Sequence, residues 1–471
     1  LELDQVRVDI ERMLEDAGLE PIRQEFDADD YFGVPSNDVV GVNLLARIEG
    51  IEANRAIVFV AHYDSVPTTP GANDNAAAVA ALIEMARTIE RPPPNDVILL
   101  FTDGEEPAPR YGANAFTQHP WFGDVALAVN FEAIGSSGRS LLAEVSGHTN
   151  EMVNHLSGAV SDAVAYSFVT DLTAMMGEIG TDFDVFADHG IPGYHFAYLR
   201  GSSIYHTPRE NLENLNAAGA SDHSVLALGI ASAPIPDLSV SNDAPGLFLT
   251  LPWGSLLILD PAWATVLALV AVIAVGSSLA IRWRRRDTSG KHLAGSVGLT
   301  VLGFIGSVAV ATAAWTAIVS ARSTMDATES YIWLSLVLAL VAALRWVTER
   351  RGSDRLGGTM VIWALVAVVA TPAIPGLGLS YSVPLILAAL VALLVPSSNR
   401  WANRALRIIP VALAIGVLVS PTIEVFFHFA TPRPGNPDSE LVAAIAVPVA
   451  FAYLVFSLLA ALMEPAPSEG T

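Results

Sequence analysis

IVFVAHYDSVPTTPGANDNAAAVAALIEMARTI, residues 57–89, reads as one turn of an α/β sheet. Ile57 to Val60 (IVFV) is a short apolar run of strand-forming residues. From Ala76 to Ile89 the apolar period lengthens, and Val79, Leu82, Ile83 and Ala86 form one helical stripe. Between strand and helix lies a loop rich in Pro, Thr and Gly that carries His62, Asp64 and Asp74. In such sheets ligands gather beyond the carboxyl ends of the strands, so these polar residues stand where a site is expected.

The same arrangement repeats outward from this stretch. Val97 to Phe101 (VILLF) runs into TDGEE with Glu105 and Glu106, Ala126 to Phe131 (ALAVNF) delivers Glu132, and Gly193 to Leu199 leads through RGSSIYHT to His206. Four apolar runs thus end in groups able to bind a metal. Upstream, Val6, Ile10, Met13, Leu14 and Leu19 space out an amphipathic helix over the first 20 residues, with strands expected near Ile22–Phe26 and Val42–Ile48. The expectation is an α/β domain with a mixed, largely parallel central sheet flanked by helices. Taken singly, each polar residue has an ordinary role: Asp74 could cap the helix that follows, Glu105 and Glu106 could form a solvated turn, Glu132 a strand-end ion pair, His206 a turn. Their joint order is what points to chemistry.

The rest of the chain is different. It has 471 residues, 52% of them hydrophobic, and a mean hydropathy of +0.46, too long for one ordinary domain and too apolar for a soluble one. Eleven of the 25 basic and 38 of the 48 acidic residues precede Pro261, a net charge near −27 in front against +4 behind. A front part so acidic repels nucleic acid phosphates, which excludes that partner class. No cysteine is present, so any metal site must use carboxylates and imidazoles. The chain begins at Leu1 and not at Met, and a preceding signal peptide or membrane anchor is expected.

Seven apolar stretches of bilayer-crossing length follow Ala262, at about 262–281, 294–319, 331–348, 359–379, 381–397, 407–430 and 440–463. The connections after the first, third and fifth carry Arg282, Arg284, Arg285, Arg286, Lys291, Arg350, Arg351, Arg355, Arg400, Arg404 and Arg407, while the opposite ones carry only Arg322 and Arg433. Positive charge therefore places the front domain outside the cytoplasm and the tail inside. The expected domains are 1–230, a membrane-proximal linker at 231–260 containing the apolar patch GLFLTLPWGSLLIL, a helical membrane domain at 261–463, and a cytoplasmic tail at 464–471. Glu424, with His428 one turn later, is the intramembrane acid to weigh. It lies roughly 26 Å along the helix from the inner end, near the outer interface, where water reaches it. Arginine outnumbers lysine 24 to 1, a bias of GC-rich prokaryotic genomes and hence of a cell-surface location; a eukaryotic chain would place the domain in an organelle lumen.

HYDSVPTTPGANDNAAAV, FTDGEE, NFEAIGSSGR, TDFDVF and GSSIYHTPRENLENL resemble, in order and spacing, the zinc aminopeptidase family that includes glutamate carboxypeptidase II and the glutaminyl cyclases. NFE, FTQHPW, YHTPRENL and the trailing apolar stretches resemble its multi-pass branch, the endoplasmic reticulum metallopeptidase and vacuolar membrane protease group. The resemblance implies two zinc ions, with His62 and Glu132 on one, Glu106 and His206 on the other, and Asp74 bridging them. It makes Glu105 the general base, Asp64 the group that orients the His62 imidazole, and Tyr205 the residue that steadies a developing oxyanion. Glu132 departs from the aspartate of many relatives but agrees with the multi-pass branch. The peptide bond after the bridging aspartate is often cis in the family.

The function this implies is a membrane-anchored zinc metallopeptidase, an aminopeptidase acting on peptides. Two other classes were weighed: a single-zinc glutaminyl-cyclase-like acyltransferase, which has no use for His62, and a non-catalytic receptor-like scaffold, which has no reason to keep every ligand. His195 reads as a core or rim histidine, and His119, His189 and His223 match no ligand position. Asp182 resembles a position close to the site, Asp184 and Asp188 read as surface, and Arg200 either meets a substrate carboxylate or anchors the loop before His206.

Overall fold

A computed structural model describes residues 2–28, 39–106, 110–177, 180–238, 246–285, 288–321, 332–341, 355–396, 401–430 and 445–463. By its contacts the chain divides into two units, Leu1–Leu259 and a helical unit from Asp260 onward.

The first unit opens with α1 (Glu2–Asp16), then β1 (Ile22–Asp27), β2 (Val40–Ile48) and β3 (Glu52–His62). There follow α2 (Ala76–Thr88), β4 (Asn95–Thr102), α3 (Tyr111–Phe116), β5 (Val125–Ala133), β6 (Leu141–Ser146), α4 (Thr149–Ala159), β7 (Val164–Ala165) and α5 (Ser167–Met176). It closes with α6 (Asp182–Asp188), β8 (Gly193–Tyr198), α7 (Ala217–Ala231) and a hairpin of β9 (Leu247–Thr250) and β10 (Leu256–Leu259). The eight-stranded sheet runs β1-β2-β4-β3-β5-β8-β6-β7. Its four middle strands, β4, β3, β5 and β8, are parallel, and β1, β2 and β6 join by antiparallel pairings. This is the mixed, largely parallel sheet expected from the apolar runs.

Alternation along the strands explains the layers. Ile57, Phe59 and Ala61 of β3 point into one core with Leu82, Phe101, Phe131, Phe196 and Leu226. Val58 and Val60 point into a second core with Leu100, Phe116 and Phe186. Because both faces are covered, the parallel strands are mostly apolar, with Asn130 and His195 as buried polar residues away from the ends.

The stretch expected as a linker differs. Leu247, Phe248 and Leu249 are buried, Phe248 belongs to the first core, and Thr250 Oγ1 accepts a hydrogen bond from Ala165 N at 2.8 Å. An apolar patch next to the first membrane stretch reads as membrane-proximal, yet it pairs as a hairpin whose Phe248, with Leu256 and Ile258 beside it, packs into this domain's core.

In the second unit, α8 (Ala262–Arg284), α9 (Gly290–Ala321), α11 (Arg355–Ala373), α12 (Pro375–Leu394) and the pair α13 (Trp401–Leu418) and α14 (Ser420–Ala430) supply five spans long and apolar enough to cross a membrane. Shorter apolar helices, α10 (Ile332–Val341) and α15 (Ala446–Met463), stand within the third and seventh expected stretches. The fourth and fifth stretches, expected to meet at the Pro/Gly-rich turn around Pro375 and Ser380, break at Ile374, because Pro375 starts the new helix at a position that needs no backbone donor. Trp363 Nε1 donates to Tyr381 O at 2.8 Å, and Gly378 lets α12 lie against Thr371 of α11. Glu424 is 38% exposed and lies 3.9 Å from His428. The tail, Arg286, Arg322, Arg350, Arg351, Arg400 and Arg433 lie outside the described residues.

Candidate metal centre

Parallel pairing brings the carboxyl ends of β3, β4, β5 and β8 to one edge. His62 is level with Thr102, and Glu132 with Ala197, so four loops that are far apart in sequence start side by side. His62 Nε2 lies 3.2 Å from Asp74 Oδ1, 3.3 Å from Glu132 Oε2 and 3.9 Å from Glu105 Oε2. His206 Nε2 lies 3.2 Å from Asp74 Oδ2 and 3.2 Å from Glu106 Oε2. Asp74 therefore turns one carboxylate oxygen to each imidazole. It does not cap α2: Asn75 takes that position without a side-chain capping bond, and the Asp74–Asn75 peptide is cis.

Asp64 acts more broadly than expected. His62 Nδ1 is nearer its backbone carbonyl, at 3.0 Å, than its carboxylate, at 3.5 Å. The two carboxylate oxygens instead accept the backbone N–H groups of Glu105 and Glu106, each at 3.2 Å, and so brace the TDGEE loop. Tyr205 stacks on His206 with ring centroids 3.7 Å apart, and burial raises its hydroxyl well above the usual range. His206 itself has φ of +58°, a left-handed conformation that costs a non-glycine residue about 1 kcal/mol or more.

The electrostatics follow from crowding acids into a dry edge. Burial, with neighbouring carboxylates adding to it, pushes Glu132 up to about 7, Asp182 up to about 6, and Glu105 well up. Burial also raises Glu106. Against burial, which would lower them, the surrounding carboxylates hold His206 up at about 9 and His62 well above its usual value. Against burial of the opposite sense, hydrogen bonds from His206 and His62 keep Asp74 below the ordinary carboxylate range. Among the described residues no Arg or Lys pairs with Asp74, Glu105, Glu106 or Glu132, and Glu106 Oε1 is buried without a hydrogen bond. Ligand atoms of His62, Asp74 and Glu106 lie within 4.8 Å of one another. Oxygen and nitrogen donors that converge in this way, short of positive charge, fit divalent cations.

Other residues complete the setting. Asn75 Nδ2 donates to Glu132 Oε2 at 3.0 Å, and Asn130 Nδ2 approaches Glu132 Oε1 at 3.3 Å. Asn130 lies two residues before Glu132, the offset that puts two side chains on one strand face; the sequence reading passed over it. Glu210, also passed over, is 1% exposed and accepts N–H groups from Asp74 and His206. Arg7 of α1 reaches Asp103 at 2.6 Å and Tyr63 at 2.8 Å, the neighbours of the loops that carry Glu105 and Asp64. No sequence period announces that contact.

The competing histidines sit elsewhere. His195 is buried against Asn130 and Thr181, His223 against Ser140, His119 accepts from Trp121 N, and His189 is exposed on α6. Asp182 is buried and accepts from Thr102. Asp184 corrects the surface reading: it is 5% exposed, paired with Arg110 at 2.6 Å, and closes the capping box of α6. Asp188 is exposed. The Arg200 backbone bridges to Ser137 and so anchors the loop before His206.

Residues 43–231 match the model of peptidase family M28, and this stretch is a domain of that family. The vacuolar membrane protease of Candida tropicalis is 29% identical over 222 residues, 45% of this chain and 24% of that one. That of Schizophyllum commune is 31% identical over 251 residues, 50% of this chain and 27% of that one. The chain thus spans about a quarter of the length of these two relatives. A solved glutaminyl cyclase of Fimbriiglobus ruber is similar with a TM-score of 0.37 and 17% identity, covering 49% of this chain and 87% of that one.

Proposed function

We propose that the chain is a membrane-anchored zinc metallopeptidase that binds two zinc ions and removes residues from peptide N-termini. The observation that carries this reading is Asp74, whose two oxygens each face a separate imidazole, with Glu132 beside one and Glu106 beside the other. His62 and Glu132 would hold one ion, His206 and Glu106 the second, and Asp74 both. When bound, a zinc pair supplies Lewis acidity to the scissile carbonyl and lowers the pKa of water.

The chain's own groups carry the rest. Glu105 stands 3.9 Å from His62 Nε2, close to the cluster, and among the described residues no hydrogen bond occupies its carboxylate. It serves as general base, taking a proton from the attacking water and delivering it to the leaving amine. Asp64 fixes the loop from which Glu105 projects, so the base cannot drift. The Tyr205 hydroxyl, kept protonated by burial, would donate to the oxyanion.

The family domain and the protease relatives support peptide bonds as the substrate class. The distribution of arginine supports an extracytoplasmic domain. Because the chain has no cysteine, single cysteines introduced into the front domain and labelled from outside intact cells test that orientation directly.

The deciding experiment uses the full chain in detergent micelles, stripped with chelator and then resupplied with zinc, against aminoacyl and peptide substrates. Zinc-dependent release of single N-terminal residues is expected. Hydrolysis that survives stripping would overturn the reading, as would one tightly held zinc per chain with cyclase activity.

A further inference from the structure

Among the buried acids, Glu210 touches neither imidazole ring nor any carboxylate of the cluster, yet it is 1% exposed and none of its acceptor atoms is idle. Oε1 accepts the Asp74 N–H at 2.7 Å, while Oε2 accepts the His206 N–H at 3.1 Å and the Thr69 hydroxyl at 3.3 Å. Its backbone carbonyl accepts Ala72 N–H at 3.2 Å, and its own N–H donates to Thr207 O at 3.0 Å. One side chain is thus bonded to two loops, one following β3 and the other following β8, whose facing residues Asp74 and His206 are 132 positions apart in sequence. His206 is the member of the cluster with a left-handed backbone, and the amide it presents to Glu210 belongs to that turn.

Resting on the two-zinc reading above, we propose that Glu210 is a positioning residue. It sets the separation of Asp74 and His206, and with it the affinity of the zinc that His206 and Glu106 would hold. In this arrangement both of its oxygens accept backbone amides, and it acts on the cluster through them. Hydrogen bonds of backbone N–H groups to an ionised carboxylate are among the stronger and shorter kinds, so the staple is stiff. Glutamine keeps the shape but offers one acceptor where two amides need one each. Aspartate keeps both acceptors on a stem one methylene shorter, which reaches one loop well and the other poorly. Groups that orient metal ligands from behind typically alter metal affinity ten- to hundredfold when removed.

The test compares full-length wild type, Glu210→Gln and Glu210→Asp in detergent. In the metal-free proteins, hydrogen exchange is expected to speed up in peptides spanning residues 69–76 and 203–208, and only there. In zinc titrations the weaker of two equivalents should lose affinity about ten- to hundredfold in Glu210→Gln and less in Glu210→Asp. Turnover should return at saturating zinc. Wild-type exchange in both peptides, or a wild-type zinc titration, would overturn the proposal, as would a turnover loss that excess zinc does not repair. Should Glu210→Gln fail to fold, Glu210→Asp carries the same comparison. A wild-type chain that takes up no zinc would sink the metal reading alone, and the exchange measurement would still decide the staple.

Discussion

The two halves of the cluster around Asp74 are built by different means. The deep half, His62 and Glu132, grows from strand ends: both side chains are within 7% of full burial, and Asn75 and Asn130 hold the carboxylate from either side. The outer half, Glu106 and His206, grows from loops: the imidazole is 27% exposed, its backbone is left-handed, and its place depends on Glu210. A sheet delivers rigid ligands at no conformational expense beyond folding itself. A loop that must meet them needs fasteners of its own. The difference teaches that one side of such a centre is inherited from the fold while the other is assembled onto it.

Glu105 lies between the halves, and its replacement should have the largest effect. Glu105→Gln is expected to fold and retain zinc on both sides while turnover falls about a thousandfold or more, as loss of a general base requires. Wild-type turnover in that variant would remove the residue from the chemistry. A second effect concerns the strand side. Arg7→Met removes the guanidinium from Asp103, which keeps its bond from Val42 N, at a site where that carboxylate is 2% exposed, and the apparent stability should drop by about 2–3 kcal/mol, read as a lowered melting temperature. A melting temperature equal to wild type would show that α1 is not needed to hold the two strand-end loops.

A subtler measurement bears on the comparison itself. Titration with a graded zinc chelator should remove metal in two stages, the outer ion leaving at about tenfold weaker chelation than the deep one, in keeping with second-sphere effects on affinity. A single cooperative release would mean that Asp74 couples the halves too tightly for their different construction to matter.

The smallest effect isolates the sheet from the loops. Glu144 of β6 sits opposite His195, and burial, with the charge of Asp184 adding to it, raises its carboxyl to about 8. The folded chain keeps that proton until about pH 8, whereas the unfolded chain releases it in the ordinary carboxylate range, so stability declines as pH climbs between those limits. Glu144→Gln should leave the melting temperature unchanged near pH 5 and raise stability by about 1–2 kcal/mol at pH 9, less than the full shift because the carboxyl is partly solvated. A pH profile parallel to wild type would assign the dependence to another group.

The pattern of what could be read beforehand has a physical basis. Strands covered on both faces are mostly apolar, so the polar residue at the end of each apolar run stands out, and parallel pairing then brings those ends together. His62, Glu105, Glu132 and the loop of His206 are legible for that reason. Asn130 was within reach of the same period-two argument but looked like one more strand residue. Glu210 was not legible, because its carboxylate joins the amide of His206, four positions back, to that of Asp74, 136 positions back, and nothing local in RENL announces the longer contact. Asp184 looked like a surface acid because helix starts favour acids in water too; in the fold it is buried and Arg110 from another loop pairs with it. In the helical unit, hydropathy marked the apolar stretches but blurred the Ile374 break, where proline and not polarity ends the run.

The hairpin at Leu247–Leu259 has a practical consequence for anyone who would excise the peptidase domain from its anchor. A cut at the last long helix, near Ala231, looks natural, but it would strip Phe248 out of the interior and leave the hydroxyl-bonded amide of Ala165 bare. Truncating a buried phenylalanine alone removes about 3–5 kcal/mol. A stable secreted version should therefore carry its boundary past Leu259, which leaves only Asp260 and Pro261 as a seam before the first long apolar helix.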